Sequence, residues 1–197
     1  DSPIGMFASE KYDGIRAIWT GSVLKSRQNK EIHAPDWFIK KLPAGFPVDG
    51  ELFSGRSGFE ATSSFVRKLK PVDEEWKQIK YIVFDTPIYG PFTERYRKLR
   101  KMIPKSTFIE IAPQTNIISQ AHFNLTFKEI ISNKGEGIML RDPSSIYEQK
   151  RSKSLLKHKP VHDAEAKIIS VQEGTGKYQG MMGALRVENL KTKKEFK

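Results

Sequence analysis

Lys11-Tyr12-Asp13-Gly14-Ile15-Arg16 sets a lysine just ahead of an Asp-Gly turn pair, with an arginine on the far side of the turn. A lysine in that setting is a candidate nucleophile. An amine has a reference pKa of about 10.4, so near neutral pH it needs desolvation or neighbouring cations to favour its neutral form. Arg16 could supply one such charge. Lys157 and Lys159 form a second basic group: as i and i+2 on one strand they project to the same face, where two cations can meet charge that builds on phosphoryl oxygens. Glu51 and Glu136 each lie beside a glycine, where a carboxylate can approach a phosphate or hold Mg²⁺. Magnesium takes oxygen ligands and keeps several waters, so one or two carboxylates plus substrate phosphate suffice. Plainer readings stay open for each group. The first six residues also read as a surface hairpin with a solvated lysine, and the lysine pair as an edge strand that discourages aggregation. Asp13 and Asp49, each before a glycine, read as turn formers.

The elements that must carry these residues are strands and helices in irregular alternation, which predicts an α+β fold. Phe7 to Lys11 and Ile15 to Trp19 read as strands on either side of the Asp13-Gly14 turn. Val23 to Arg27 can pair with the second of them. A short helix is expected over Asp36 to Leu42, a strand over Val48 to Phe53, a helix over Phe59 to Lys68 and an apolar strand over Lys80 to Asp85. Thr93 is the expected cap of a helix in which Tyr96, Leu99 and Ile103 recur at three- and four-residue steps. The other face of that helix, Arg95, Arg97, Lys98, Arg100 and Lys101, reads as solvated. A further helix is expected from about Phe123 to Asn133, then strands at Gly137 to Arg141, Leu155 to Lys159, Glu165 to Glu173 and Ala184 to Asn189.

Composition narrows the partners. With 197 residues, 38% of them hydrophobic, the chain can build one substantial domain and part of a second. Its 34 Lys and Arg against 23 acidic residues give a net charge of +11, which suits a polyanionic partner bound through phosphate contacts. No cysteine is present, so disulfides and thiolate metal sites are excluded. No apolar run reaches membrane-spanning length, and no membrane partner is expected. The histidines at 33, 122, 158 and 162 lack metal-ligand spacing, and Ser, His and Asp are too scattered to support a hydrolase triad. The Gly-rich stretches at Gly55 to Gly58 and Gly174 to Gly176 lack the strand, loop and helix setting of a phosphate-binding loop.

The Lys11 box resembles the active-site motif of nucleotidyltransferases that form a covalent lysyl-nucleotide, the polynucleotide ligases and mRNA capping enzymes. Further boxes follow in order: Ser26-Arg27-Gln28, Val48-Asp49-Gly50-Glu51-Leu52, Tyr81-Ile82-Val83-Phe84-Asp85, Glu136 to Arg141, and Leu155-Leu156-Lys157-His158-Lys159-Pro160. Their spacing is most similar to that of the minimal ATP-dependent DNA ligases of bacteria and viruses. The resemblance implies a nucleotidyltransferase domain of mainly antiparallel sheets flanked by helices over 1–162, and the beginning of an OB-fold barrel over 163–197. A five-stranded barrel takes roughly 70 residues, so the barrel is expected to be incomplete in this sequence. The cationic box at the far end of that barrel has no counterpart.

By resemblance, Lys11 attacks the α-phosphate of ATP, holds AMP and passes it to the 5′-phosphate of a nick in duplex DNA, where the 3′-hydroxyl displaces it. Asp13, Arg16, Lys157 and Lys159 are the expected catalytic company of Lys11. Glu10, Arg27, Glu51, Phe84, Glu136 and Arg151 join Lys11, Arg16 and the two later lysines around the nucleotide, with Phe84 stacked on adenine. Glu51 and Glu136 are the expected ligands of Mg²⁺ or Mn²⁺. A monomer is expected. An RNA ligase or GTP-dependent capping enzyme shares the same lysine chemistry, and a DNA-binding relic without turnover is the non-enzymatic alternative. The chain begins at Asp1; related small bacterial ligases carry secretory leaders, so removal of a leader would imply a periplasmic location, and otherwise a cytoplasmic one.

Overall fold

β-Branched and aromatic residues recur in the strands of the largest of three sheets, most densely in Tyr81, Ile82, Val83 and Phe84. The computed structural model describes residues 2–104, 106–150, 152–161 and 164–197. In chain order its elements are β1 Phe7–Glu10, β2 Ile15–Trp19, β3 Leu24–Ser26, α1 Asp36–Ile39, β4 Val48–Phe53, α2 Phe59–Val66, α3 Asp73–Trp76 and β5 Lys80–Asp85. There follow α4 Phe92–Met102, β6 Ile109–Ile111, β7 Thr115–Asn116, α5 Gln120–Ser132, β8 Ile138–Arg141, β9 Leu155–His158, β10 Ala166–Glu173, β11 Met182–Asn189 and β12 Glu195–Phe196. The chain divides into two units, Asp1–Pro160 and Val161–Lys197.

The first unit contains two sheets. The larger runs β3-β2-β4-β5-β6 and is antiparallel except for its β5–β6 pair. Its core gathers Trp19, Leu52, Tyr81 and Val83 from the strands, with Phe38 of α1, Trp76 of α3 and Leu99 of α4. The Phe38 and Trp76 rings meet edge to face at 4.9 Å. The smaller sheet runs β7-β1-β8-β9, antiparallel throughout. Ala8, Ile138 and Leu140 pack there with Ile117 and with Phe123 of α5. Ser119 caps α5 by accepting the His122 amide at 3.1 Å, so the helix begins at Gln120, three residues ahead of the expected start.

Three expectations are corrected. Thr93 does not cap α4: Pro91 holds that position, and Thr93 lies in the first turn. Proline suits the start of a helix because it gives up an amide that has no partner there. Arg95 does not lie on a solvated face, since the inward face of α4 is Phe92, Arg95 and Leu99, all fully buried. Finally, the Asp13-Gly14 turn does not close a hairpin. β1 pairs with β7 and β8, whereas β2 pairs with β3 and β4. Residues 11–14 instead carry the chain from one sheet to the other. A Cβ on Gly14 would stand 2.1 Å from the Leu52 carbonyl oxygen, so a side chain at this crossing would collide with the backbone of β4.

The second unit is an antiparallel sheet, β10-β11-β12, whose long first pair is interrupted by two shifts of register. Ile168, Val171, Met182 and Phe196 stand exposed on it. Among the described residues, no helix is long and apolar enough to cross a membrane.

Candidate active site

The crossing at residues 11–14 places Lys11 where the two sheets of the first unit meet. A cleft of about 400 Å³ opens there. It is lined from the smaller sheet and the residues following its strands by Ser9, Lys11, Met139, Arg141, Leu155, Lys157 and Lys159, and from the larger by Arg16, Arg27, Glu51 and Phe84. The backbone end of Lys11 is fixed by its amide, which donates to Gly137 O at 2.8 Å. Its Nζ donates to Glu136 Oε2 at 2.5 Å. Lys159, one residue beyond β9, pairs with the other oxygen of Glu136. One carboxylate therefore bridges two of the expected catalytic lysines. Burial works to raise the pKa of Glu136, but the bonds from Lys11 and Lys159 outweigh it and hold the carboxyl below its ordinary range.

Lys157 stands opposite Met139 in the β8–β9 register and reaches the cleft with Lys159, as the two-residue spacing requires. His158 points the other way. Its ring packs edge-on to Phe123 at 5.3 Å and to Phe127 at 4.6 Å, which accounts for it as a structural residue.

The opposite wall is built differently. Arg16 of β2 donates through Nε and Nη2 to both oxygens of Asp49 on β4, at 3.0 and 2.6 Å. Asp49 is 1% exposed and also accepts the Tyr147 hydroxyl at 2.8 Å. Asp49 is thus a buried anchor for Arg16 rather than a turn former, and the charge nearest Lys11 is a carboxylate rather than Arg16. On the neighbouring strand, Asp85 is fully buried. It accepts two bonds from Arg95, at 2.8 and 3.1 Å, and pairs with Arg141 at 2.9 Å. The Arg141 guanidinium also lies 4.7 Å from the centre of the Phe92 ring, within cation–π range.

Glu51 faces Arg16 across the β2–β4 register. Burial, reinforced by Asp49, pushes its carboxyl up to about 8 despite the opposing charges of Lys11 and Arg16. Glu51 is therefore largely protonated at neutral pH and is poised to ionise when a cation arrives. The oxygen donors Glu51 and Glu136 suit a hydrated magnesium ion that completes its shell with substrate and water. They do not form a protein cage, for no group of three or more potential ligands gathers among the described residues.

The remaining expected residues divide. Phe84 is half-buried and lines the cleft, as does Arg27. Glu10 lines it too, but both its carboxylate oxygens accept from Arg56, at 3.0 and 2.8 Å. Asp13 is exposed, outside the lining, and has no hydrogen bond or ion pair among the described residues. Arg151 lies outside the described residues. Sequence reasoning did not single out Tyr12, Gln114, Arg141 or Tyr147. Arg141 closes the Glu136 to Arg141 motif and so had a signal; Tyr147 sits in an irregular segment and had none. A second groove, about 730 Å³, shares Arg16, Arg27 and Glu51 with the cleft and continues past Lys30, Arg67 and Lys68. The cleft brings together a lysine amine, further cationic side chains and an aromatic ring.

Comparison with known proteins agrees with this chemistry. The sequence profile of the ATP-dependent DNA ligase domain matches residues 2–159. A DNA ligase of Haemophilus influenzae is 36% identical over 188 residues, which cover 94% of this chain and 69% of that protein. A solved structure from a structure-function study of Lig E DNA ligases, concerned with DNA binding by a minimal scaffold, superposes with a TM-score of 0.87 at 32% identity. That match covers 100% of this chain and 77% of the other. The Chlorella virus DNA ligase-adenylate shares the fold at 24% identity, with a TM-score of 0.67 over 98% of this chain and 77% of its own.

Proposed function

The chain belongs to the ATP-dependent DNA ligase family, and from that premise we propose that it seals nicks in duplex DNA through an AMP held covalently on Lys11. The observation that carries this reading is the convergence of Lys11, Arg16, Lys157 and Lys159 with Glu51 on one cleft, two of whose lysines, Lys11 and Lys159, are bridged by Glu136.

In the first step the Lys11 Nζ–Glu136 contact opens, the ammonium gives up a proton to solvent, and the neutral amine attacks the α-phosphorus of ATP. The bond to the bridging oxygen breaks, pyrophosphate departs with that electron pair, and AMP remains on a P–N bond. An oxygen of the nick's 5′-phosphate then displaces Lys11 from the phosphorus. The 3′-hydroxyl oxygen next attacks the 5′-phosphorus and releases AMP. Negative charge shifts among phosphoryl oxygens at every step, and Lys157, Lys159, Arg16 and Arg27 supply the cations to meet it. Phe84 stacks on adenine, with Glu10 and Arg151 assigned to the nucleotide alongside it. Asp13 is the remaining carboxylate beside the nucleophile. Glu51 and Glu136 would hold Mg²⁺ or Mn²⁺, which when bound supplies positive charge against the phosphates; Glu51 serves ribose or metal. One copy of the chain carries all of these groups, in keeping with a monomer. The unit Val161–Lys197 is assigned as the start of an OB-fold barrel.

The test is incubation with α-labelled ATP or GTP and Mg²⁺ followed by denaturing electrophoresis. Label from ATP should stay on the wild-type protein and vanish in Lys11→Ala, and retained label in that variant would remove Lys11 from the mechanism. Label from GTP would move the reading to capping chemistry. Nick binding should also weaken steeply as salt rises, since the net charge of +11 implies phosphate contacts that release counterions. A flat response between about 50 and 200 mM salt would count against a phosphate-tracking surface.

A further inference from the structure

We propose that Tyr147 is a positioning residue for Arg16, acting through Asp49, so that a hydroxyl with no place in the phosphoryl chemistry sets the efficiency of AMP transfer. The proposal rests on the lysyl-AMP reading above. Asp49 Oδ2 accepts two bonds, one from Arg16 Nη2 at 2.6 Å and one from the Tyr147 hydroxyl at 2.8 Å. Oδ1 accepts Arg16 Nε at 3.0 Å. The fork of Arg16 is thereby occupied along one edge. Its other N–H groups have no hydrogen-bond partner among the described residues, and the side chain lines the cleft. Their direction is set by the plane of the Asp49 carboxylate, and among the described residues Tyr147 is the one side chain besides Arg16 that grips that carboxylate.

A guanidinium that binds a phosphoryl oxygen must be aimed where charge develops, and misplacement by about 1 Å can cost about a hundredfold in rate. Losing the hydroxyl leaves a buried carboxylate oxygen with one donor fewer, free to turn with its arginine. The segment that carries Tyr147 does not depend on that hydroxyl for its place. Arg95 Nη1 donates to Ser145 O at 2.6 Å, and the Thr93 amide to Pro143 O at 3.1 Å. The Tyr147 ring lies 5.9 Å from the Arg95 guanidinium, a contact phenylalanine keeps. Tyr147→Phe should therefore fold as the wild type does.

The experiment compares wild type, Tyr147→Phe, Arg16→Ala and the double variant in single-turnover adenylylation with labelled ATP. For Tyr147→Phe the rate constant at saturating ATP should fall about tenfold, with the half-saturating ATP concentration changed less than about twofold. The double variant should be no slower than Arg16→Ala, because the hydroxyl acts only through that arginine. A double variant slowed by the product of the single effects, or a Tyr147→Phe rate equal to wild type, would overturn the proposal. A readout free of catalysis separates this inference from the ligase reading. NMR signals of the two Arg16 Nη groups should be distinct in the wild type and averaged in Tyr147→Phe, whether or not the protein takes label. Equal restriction in both proteins would refute the positioning role even if adenylylation fails altogether.

Discussion

The two walls of the cleft hold their charges in opposite ways. On the smaller sheet, Glu136 meets Lys11 and Lys159 through single contacts, and these three side chains are 20, 24 and 44% exposed. On the larger sheet, Asp49 and Asp85 are buried carboxylates, each gripped through both oxygens by an arginine. Partly exposed pairs held by single contacts contribute little to stability and break readily, whereas buried pairs that lose one partner leave a costly naked charge. The lysine wall suits groups that must exchange one partner for another as phosphates arrive. The aspartate wall suits groups that must stay still while they do so.

Breaking the rigid wall should have the largest effect. Asp85→Ala leaves Arg95 and Arg141 without their shared carboxylate and should cost about 3–5 kcal/mol in urea unfolding. A loss below about 1 kcal/mol would erase the distinction between the walls. Glu51 tests the same wall through pH. Its folded pKa of about 8 lies above the ordinary glutamate value of 4.5, so the folded state holds a proton the unfolded chain has released. Its contribution is complete below about 4.5 and is lost as pH rises through 8. Wild type should lose up to a few kcal/mol relative to Glu51→Gln between pH 5 and 8; parallel pH profiles of the two proteins would contradict the burial argument. On the lysine wall, Glu136→Gln should shift unfolding by less than about 1 kcal/mol while label transfer from ATP falls sharply. A variant that unfolds easily would place Glu136 with the rigid wall instead.

Where the candidate site's residues lie was legible in part because it depends on short-range geometry. The two-residue step from Lys157 to Lys159 put both on one face and His158 on the other, and that is how they lie. Most strands of the first unit were readable from alternation and turn signals. What escaped depends on partners outside the local pattern, from ten residues away to nearly a hundred. Arg95 reads as a solvated helix residue until Asp85 is brought beneath it, and Asp49 reads as a turn former until Arg16 and Tyr147, the latter 98 residues away, close on it. The Asp13-Gly14 pair is a turn signal in any local reading. Whether it folds a strand back or hands it to a second sheet is decided by the strands β1 and β2 pair with, β8 and β4 among them, which no local pattern reveals. β6 and β7 are too short to show a period.

The crossing at Gly14 also bears on when the chain becomes reactive during its own synthesis. β1 and β2 are neighbours in sequence yet do not pair, so β1 has no local strand to settle against. Lys11 meets Glu136 across 125 residues, and β1 gains β8 as its neighbour only after nearly all of the first unit has been made. Contacts of such long range form late, because the entropy of closing the loop must be met first. On the function proposed above, a nascent or truncated chain would carry a chemically idle lysine, and the capacity to trap a nucleotide would arrive together with the completed fold.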